Sequence, residues 1–414
     1  MLPTIAAAYP LDGYVDTGIR RVEGSRLANE GVVKDRLSQV PGALLTTKEV
    51  DIRLLDHKDF QIPEADPQLN AQIKKLLGQH ADEYGIAVLD LTDMEHPRYG
   101  VHRGDHKQNV GSVGKLLVGL GVFQAMADVW PDETKRLDVL KNTLVTADKI
   151  SQYDHHTIRL FNPETKKLTR RSMKIGDQGS QWEFLDWMLS ISSNSAAAMN
   201  QRQGMLMRQY GTDFPPSESE IARYFKETPS KEKTALYKQT FWEPVTRNGL
   251  DIEQFRQGSF FSRNGKFAVN GGGNSYATAN QLLQFLVKME QGELVDEFSS
   301  RQLKRLLYLT EHRIRYASSP ALRKSAVYYK SGSWYKCKEE VGFKCRAYQG
   351  NVINYMNSVA IIESPEAEGN LYYMVVVISN VLRKNSAVEH QTLATRIHRL
   401  MKQAHPVKNA SVKK

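Results

Sequence analysis

The spacing of apolar residues changes several times along the chain, and each change predicts a new element. A period of three to four residues indicates a helix, as in the run that places Leu69, Ile73 and Leu77 on one face. Short alternating or continuous apolar runs bounded by turn residues indicate strands. In chain order, the first part of this pattern predicts a strand over 49–55, a helix over 69–77, strands over 84–93 and 98–104, a long apolar helix over 112–130 and mainly helical structure over 135–200.

The second half of the chain is first polar, then helical and finally rich in strands. The polar stretch covers 205–270 and contains several prolines. The later runs combine β-branched and aromatic residues, which favours strands. The predicted elements after the polar stretch are helices over 277–292 and 299–310, strands over 326–337, 344–350, 355–364 and 371–380, and a last helix over 390–403.

Together these elements predict an α/β (α+β) fold with two lobes. Strands near both ends of the sequence must pair in one sheet, and their hairpin-length connections make that sheet antiparallel. The helical segments between them, about 112–310, form a second lobe inserted into the first. This catalytic domain is expected to cover 67–405, after an N-terminal extension over 1–66 of unknown role and before a basic tail over 406–414.

Composition and charge narrow the class of protein. The 414 residues are 41% hydrophobic and 25% charged, which is typical of a globular protein and excludes collagen-like or wholly disordered chains. The net charge of +10 comes from scattered basic residues. No zinc-finger spacing, phosphate-binding loop or aromatic RNA-binding motif accompanies that charge, so no nucleic-acid partner is expected.

The expected location is outside the cytoplasm. The run Ala6-Ala7-Ala8 before Tyr9 looks like the end of a secretory signal, which favours a periplasmic or otherwise extracytoplasmic protein whose signal peptide is missing from this sequence. A cytosolic protein is the alternative. We find no uninterrupted run of the roughly 18 to 20 apolar residues that a spanning helix needs, so no membrane span is expected.

Two cysteines, Cys337 and Cys345, flank a short polar segment. They match no zinc site, and two alternatives remain open: a disulfide across a hairpin loop, which suits an exported protein, or two free thiols. The pair His102 and His106 lies in a loop with Gly104 and gives no helical metal site. The sequence therefore predicts neither a metal nor a cofactor.

Three short motifs carry the candidate chemistry. They are Ser112-Val113-Gly114-Lys115, Ser192-Ser193-Asn194 and Lys330-Ser331-Gly332, in this order. Together they match the S-x-x-K, S-x-N and K-[ST]-G set of serine β-lactamases and penicillin-binding proteins. A second S-x-x-K match at Ser230 lies in a polar stretch without an apolar helix, and we interpret it as a chance match.

The motif residues suit nucleophilic catalysis. Ser112 needs a base to remove its proton, and Lys115, one helical turn later, shares its face. A lysine acts as a base only if its pKa falls well below the usual value, which burial beside a second cation achieves, and Lys330 is that cation. Ser192 would connect the two lysines and pass a proton to the leaving group.

The remaining motif residues are predicted to bind the substrate. Asn194 would hold the substrate amide and contact Lys115, and Ser331 with Lys330 would hold a carboxylate. Gly332 would let a ligand approach the strand closely. The backbone N–H groups of Ser112 and Ser333 would form an oxyanion hole.

From residue 68 to about 403 the sequence resembles the serine β-lactamase and penicillin-binding protein superfamily, most closely its class A β-lactamase branch. Beyond the motifs, the segment 192–198 looks like that branch's S-D-N-T-A-A segment, with Ser193 in place of the usual Asp. The resemblance implies a five-stranded antiparallel sheet flanked by helices, an all-helical lobe, and an active site between the lobes.

One departure from the class A pattern concerns the release of the acyl-enzyme. Class A enzymes carry a water-activating Glu in an E-x-x-L-N loop, and Glu243 is the nearest candidate here, with Thr246 and Arg247 where Leu and Asn would stand. The resemblance therefore implies a class A-like β-lactamase acting on β-lactams through Ser112. A D-alanyl-D-alanine carboxypeptidase of cell-wall metabolism, an esterase, and a non-catalytic binding or scaffold protein remain alternatives, and the oligomeric state stays open.

Overall fold

The computed structural model describes residues 12–34, 39–308 and 313–406. Its central element is a five-stranded antiparallel sheet with the order β2-β1-β11-β10-β9. The first two strands lie near the start of the chain and the other three near its end, as the sequence predicts. Their bounds are β1 Tyr84–Asp90, β2 Arg98–His102, β9 Ala326–Lys336, β10 Ile353–Glu363 and β11 Tyr372–Asn380.

Both faces of this sheet are covered, so its strands alternate between two cores. On β11, Val375 and Val377 belong to the core that also contains residues of the helices over 67–77 and 386–404. Met374, Val376 and Ile378 face the core on the opposite side of the sheet, which continues into the inserted lobe. The helices on these faces are α3 Pro67–Leu77, α12 Ala279–Glu290, α13 Glu297–Tyr308 and α14 Ser386–Ala404. The predicted fold class is confirmed by this arrangement.

The inserted lobe is built around one apolar helix. Helix α4 (Lys115–Val129) packs against its neighbours with nearly its whole circumference, and its first twelve residues are buried. The other helices of this part are α5 Glu133–Asn142, α6 Gln181–Leu189, α7 Asn194–Tyr210, α8 Glu218–Glu227, α9 Ser230–Phe241, α10 Glu243–Arg247 and α11 Arg263–Ala268.

The length and composition of helix α4 differ from the expectation that no segment could span a membrane. Together with the turn before it, over Gly111–Val129, it is long and apolar enough to cross a membrane by length and composition. The prediction that no such segment exists is therefore wrong. Most of this segment is buried inside the protein, as the central helix of a core would be.

The lobe contains short strands as well as helices, which departs from the all-helical prediction. Three two-stranded ribbons pair β3 with β6, β4 with β5 and β7 with β8. The hairpin β4-β5 turns over residues 163–166, directly after the last strand pair, Asn162 with Lys167, and Pro163 begins that turn. The six strands are β3 Leu144–Thr146, β4 Ile158–Asn162, β5 Lys167–Arg171, β6 Gln178–Ser180, β7 Phe255–Arg256 and β8 Tyr276–Ala277.

The described part of the N-terminal extension packs onto the rest of the protein. It contains helices α1 (Tyr14–Thr17) and α2 (Arg20–Asn29). The guanidinium of Arg21 forms a buried ion pair with Asp186 of α6, next to the buried side chains of Ile19 and Val22. This segment therefore braces the lobe that carries Ser192. The first eleven residues and the basic tail beyond residue 406 lie outside the described residues.

The segment predicted as a strand over 49–55 forms no strand. Its alternation is real, since Val50, Ile52 and Leu54 are buried. However, the segment runs along helices instead of a sheet edge, and the N–H of Leu54 donates to the carbonyl of Glu290 at the end of α12. An alternating pattern indicates that one side of an extended segment is buried. It does not indicate whether the backbone of that segment pairs with a strand or with another element.

Candidate active site

The three sequence motifs meet between the lobes. Ser112 lies in the short 3₁₀ turn Gly111–Gly114, and Lys115 begins α4 directly after it. Ser192 lies in the bend between α6 and α7, Asn194 begins α7, and the third motif lies on β9. Six of the predicted residues line one cleft of about 730 Å³: Ser112, Ser192, Asn194, Ser331, Gly332 and Ser333.

Lys115 is the centre of the hydrogen-bond network. Its Nζ donates to Ser112 Oγ at 2.9 Å, to Asn194 Oδ1 at 2.8 Å and to the carbonyl of Ser192 at 2.6 Å. The side chain is fully buried. Burial lowers the pKa of Lys115 to about 7, and the charge of Arg315 acts in the same direction while Asp154 opposes it. Near neutral pH a substantial fraction of this amine is therefore unprotonated and able to accept the proton of Ser112.

Lys330 approaches from the opposite lobe. Its Nζ donates to Ser192 Oγ at 2.9 Å and to the carbonyl of Ser331 at 3.0 Å. Burial, followed by the charges of Lys115 and Arg315, holds the pKa of Lys330 well below its usual value. Ser192 itself has a left-handed backbone with φ of 64°, a conformation that costs a non-glycine residue energy and is common at functional sites.

Gly332 allows a close approach, but the approaching group is the chain itself. A Cβ at this position would lie 2.0 Å from the carbonyl oxygen of Val110 and 2.6 Å from the backbone nitrogen of Ser112. Any side chain here would push the nucleophile turn away from β9. The sequence prediction assigned this space to a ligand, and the structure shows that it seats the turn that carries Ser112.

Arg315 is a cleft residue that the sequence did not reveal. Its guanidinium donates to Ser331 Oγ at 2.8 Å and to Ser333 Oγ at 3.0 Å, and it lies 4.9 Å from the centre of the Tyr348 ring. These contacts place a fixed positive charge beside the third motif. The residue comes from a loop before β9 and belongs to no motif, so nothing in the sequence distinguishes it from other loop arginines.

Asp154 is a second residue that the sequence analysis missed. Its carboxylate accepts hydrogen bonds from Ser193 Oγ at 2.8 Å and from the backbone N–H groups of Asn194 at 2.7 Å and Ser195 at 3.0 Å. It therefore caps the N-terminus of α7 from another loop. Burial opposes ionisation, but the hydrogen bond and charge of His156 and the backbone donors hold the pKa of Asp154 well below its usual value.

This carboxylate explains how the second motif tolerates Ser193 in place of Asp, because the negative charge is supplied by Asp154 instead. His155 and His156, which follow Asp154, line the cleft. Their ligand atoms and that of Asp154 lie within 4.8 Å of one another. The Asp154 carboxylate is already surrounded by N–H and O–H donors, so these three residues do not have the character of a metal site.

The structure places Glu243 outside this cleft. It begins α10, its side chain is half exposed, and its nearest ion-pair partner is Arg247 at 3.9 Å. Next to Lys115 the described chain places the ring of Phe261, whose centre is 4.8 Å from Nζ. No carboxylate of the described residues lies within hydrogen-bond distance of Ser112 or Lys115.

Of the two alternatives for the cysteines, the structure has the disulfide between Cys337 and Cys345, with the two Cα atoms 6.3 Å apart. It closes the loop between β9 and β10. The same loop carries Tyr348, the ring against which the Arg315 guanidinium lies. The disulfide therefore restricts a segment that forms one wall of the cleft.

Comparison with known proteins identifies the family and supports the fold described above. Residues 68–400 match the profile of the beta-lactamase enzyme family. A search of curated protein sequences gives no match. Among solved structures, a beta-lactamase from Chitinophaga pinensis superposes with a TM-score of 0.52 at 14% identity, covering 81% of this chain and 99% of that chain.

Two further structures have the same fold. The TLA-3 extended-spectrum beta-lactamase gives a TM-score of 0.50 at 14% identity and covers 81% of this chain and 98% of its own. A point variant of PBP-A, solved as an acyl-enzyme complex with penicillin G, gives 0.51 at 14% identity and covers 83% of this chain and all of its own. At these identities the likeness shows the fold.

Proposed function

Because the chain belongs to the beta-lactamase enzyme family, we propose that it is a serine hydrolase that forms an acyl-enzyme on Ser112. The observation that carries this proposal is the 2.9 Å hydrogen bond between Ser112 Oγ and the buried amine of Lys115. Burial lowers the pKa of Lys115 to about 7, so a nucleophile and its base are already in contact. The acyl-enzyme of the PBP-A variant with penicillin G supports the same chemistry.

In the acylation step, unprotonated Lys115 accepts the proton of Ser112 while Oγ attacks the carbonyl carbon of an amide. The backbone N–H groups of Ser112 and Ser333 stabilise the resulting oxyanion, with each donor contributing on the order of 3 kcal/mol. The C–N bond then breaks, and the proton passes from Lys115 through Ser192 to the leaving nitrogen. Ser192 Oγ lies within hydrogen-bond distance of both lysines, at 3.2 and 2.9 Å, which suits this transfer.

The substrate carries a carboxylate next to the reacting amide. Ser331, Lys330 and Arg315 surround the position where this group would bind, and Arg315 is fixed there by two hydroxyl acceptors. A β-lactam and a peptide that ends in D-Ala-D-Ala both have such a carboxylate. The guanidinium of an arginine has parallel N–H groups that match the two oxygens of a carboxylate.

The fate of the acyl-enzyme separates the two candidate activities. A fast β-lactamase needs a base that activates the deacylating water. None of the described carboxylates lies within hydrogen-bond distance of Ser112 or Lys115, and the neighbour of Lys115 Nζ at 4.8 Å is the ring of Phe261. We therefore favour an enzyme that is acylated readily and released slowly, which suits a penicillin-binding enzyme of cell-wall metabolism. A class A-like β-lactamase remains the second candidate, because the family match and the fold apply equally to it.

We also propose that the protein works outside the cytoplasm. The disulfide between Cys337 and Cys345 needs an oxidising compartment, and the proposed peptide substrate belongs to the cell wall. Detection of the protein in a periplasmic or secreted fraction of its source cells tests this location. Recovery from the cytoplasm alone would contradict it.

The experiment that tests the activity is intact-mass spectrometry after mixing with benzylpenicillin, sampled over time, with a parallel assay of cephalosporin hydrolysis. A persistent adduct with little hydrolysis supports the peptidase type of enzyme. A transient adduct with fast hydrolysis supports the β-lactamase. The absence of any adduct contradicts an acyl-enzyme on Ser112 with this class of amide and favours the scaffold alternative.

A further inference from the structure

A second cavity opens from the cleft beside Ser192. It has a volume of about 330 Å³, and it shares five of its lining residues with the main cleft: Arg170, Ile191, Ser192, Ile314 and Ser331. We call it the leaving-group compartment and define it by three apolar residues, Leu189, Ile191 and Ile314, together with Ser192, Lys330 and Ser331. Arg170 of the hairpin β4-β5 lines both spaces.

The residues that do not line the compartment show which side of the reacting bond it adjoins. Ser112, Asn194 and Ser333, which hold the acyl half of the substrate in the proposed function, line the main cleft alone. The compartment is instead bounded by Ser192, which hands the proton to the leaving nitrogen. A group that enters it is therefore attached to the departing amine.

The size and charge of the compartment define this group. Its volume corresponds to roughly ten water molecules, and pockets of about this size bind small organic ligands. A leaving alanine has only a methyl side chain and would leave most of this space empty. The walls are largely apolar, and the positive charge of Arg170 at the border disfavours a basic side chain.

We propose that the preferred leaving group is an amino acid with a bulky apolar side chain, of the size of leucine or phenylalanine, and not alanine. Its carboxylate binds Ser331, Lys330 and Arg315, and its side chain fills the leaving-group compartment. This inference rests on the proposed acyl-enzyme at Ser112. It assigns the substrate class of that same site.

The test uses two hippuryl thioesters with the same acyl group. One releases mercaptoacetate, and the other releases 2-mercapto-3-phenylpropionate, so the leaving groups share the carboxylate and differ in the side chain. Thiol release gives kcat/KM for each. We expect the phenyl-bearing thioester to be favoured by about tenfold or more, because the extra side chain leaves water.

A matched pair of variants assigns this preference to the compartment. Ile314→Trp narrows it at its border with the main cleft, and because this side chain is 44% exposed, the fold should tolerate the change. Ile175→Trp adds the same group at a site that is 51% exposed and lies outside both cavities. The preference should disappear in Ile314→Trp and persist in Ile175→Trp. Ser190→Leu, at another wall position, provides a second filling variant.

Every outcome decides the question. Equal rates, or a preference for mercaptoacetate, overturn the inference, as does an unchanged preference in both filling variants. If benzylpenicillin forms an adduct on Ser112 but neither thioester releases thiol, the inference fails and the acyl-enzyme proposal stands. If no penicillin adduct and no thiol release are observed, the proposed function fails, and the inference fails with it.

Discussion

Lys115 and Lys330 donate hydrogen bonds to one oxygen, Oγ of Ser192, at 3.2 and 2.9 Å. One lysine belongs to the helical lobe and the other to the sheet, so this serine connects the two halves of the site. Two amines this close in a buried site cannot both carry a full charge without a large cost, and burial with mutual repulsion lowers the pKa of Lys330. The expected consequence is a reaction that depends strongly on pH.

Acylation should require the unprotonated form of Lys115. Burial lowers the pKa of Lys115 to about 7, so the base is mostly protonated below that pH and mostly free above it. The rate of penicillin acylation should rise with pH, about tenfold per unit below pH 7, and level off above it. Stopped-flow measurement with a fluorescent penicillin between pH 5 and 9 checks this profile. A rate that stays flat down to pH 5 would exclude Lys115 as the base.

Ser112→Ala should abolish covalent labelling by a fluorescent penicillin, because the attacking oxygen is removed. Ser230→Ala is the matched control, since Ser230 begins another S-x-x-K sequence but is exposed at the start of α9. Gel fluorescence and intact mass of both variants give the result. Labelling that survives in Ser112→Ala, or that is lost in a folded Ser230→Ala protein, would move the nucleophile elsewhere.

Arg315→Gln should weaken recognition of the substrate carboxylate. Loss of a hydrogen bond to a charged group costs about 1.5–3 kcal/mol, so the second-order rate constant of penicillin acylation should fall roughly tenfold to a hundredfold. The methyl ester of the same penicillin lacks the carboxylate and serves as the control substrate. An equal loss with the acid and the ester would show that Arg315 only supports β9 through Ser331 and Ser333.

The penicillin adduct should remain the dominant species after free penicillin is removed, because none of the carboxylates in the described part of the chain lies within hydrogen-bond distance of Ser112 or Lys115. Gln257 offers a way to introduce one, since its buried Oε1 has no hydrogen-bond partner and lies against Gly114. Gln257→Glu should shorten the adduct lifetime by several-fold, as followed by intact mass over time. Fast loss of the adduct in the unchanged protein would reveal a deacylating base that we do not assign.

The ion pair between Arg21 and Asp186 should contribute strongly to stability. Both side chains are at most 4% exposed, and removal of one partner of such a pair costs about 3–5 kcal/mol. Arg21→Met should therefore lower the free energy of unfolding in urea by about that amount, and the double variant Arg21→Met/Asp186→Leu should recover much of it.

The control for this measurement is Lys135→Met in the exposed pair with Asp138, which should cost at most about 1 kcal/mol. If Arg21→Met lowers the free energy of unfolding as little as Lys135→Met does, the result would show that the contact of α2 with α6 contributes little to the fold. In that case the N-terminal extension would be a peripheral addition to the lobe.

The sequence predicted the parts of the fold that depend on long repeating patterns. The strands that contain Ile86 and Val376 are continuously apolar through their centres instead of alternating, which marks a sheet covered on both faces. The two-stranded ribbons of the inserted lobe were not predicted, because a five-residue strand such as Ile158–Asn162 is too short to show a recognisable alternation of apolar and polar residues. The strand predicted over 49–55 failed because burial on one side does not reveal the partner.

The residues of the candidate site also differ in whether a sequence pattern marks them. Fixed spacing and order distinguish Ser112, Lys115, Ser192 and Lys330 from other serines and lysines, so the sequence could select them as candidates, and the structure places them in contact. Arg315 and Asp154 act from loops that have no motif, and only the folded chain brings them to the cleft. Glu243 resembled a family residue through a single neighbouring proline, and such local likeness carries no information about distance from Ser112.

The loop closed by Cys337 and Cys345 has a practical consequence for anyone who prepares the protein. Tyr348 on that loop backs the guanidinium of Arg315, so the order of the carboxylate pocket depends on a bond that cytosolic bacterial expression would leave unformed. Material purified from a reducing host can be folded and still bind substrate poorly. Low activity of such a preparation would then reflect the missing disulfide and not the properties of the native protein. Oxidation of the two cysteines before the assay should restore the affinity for substrate.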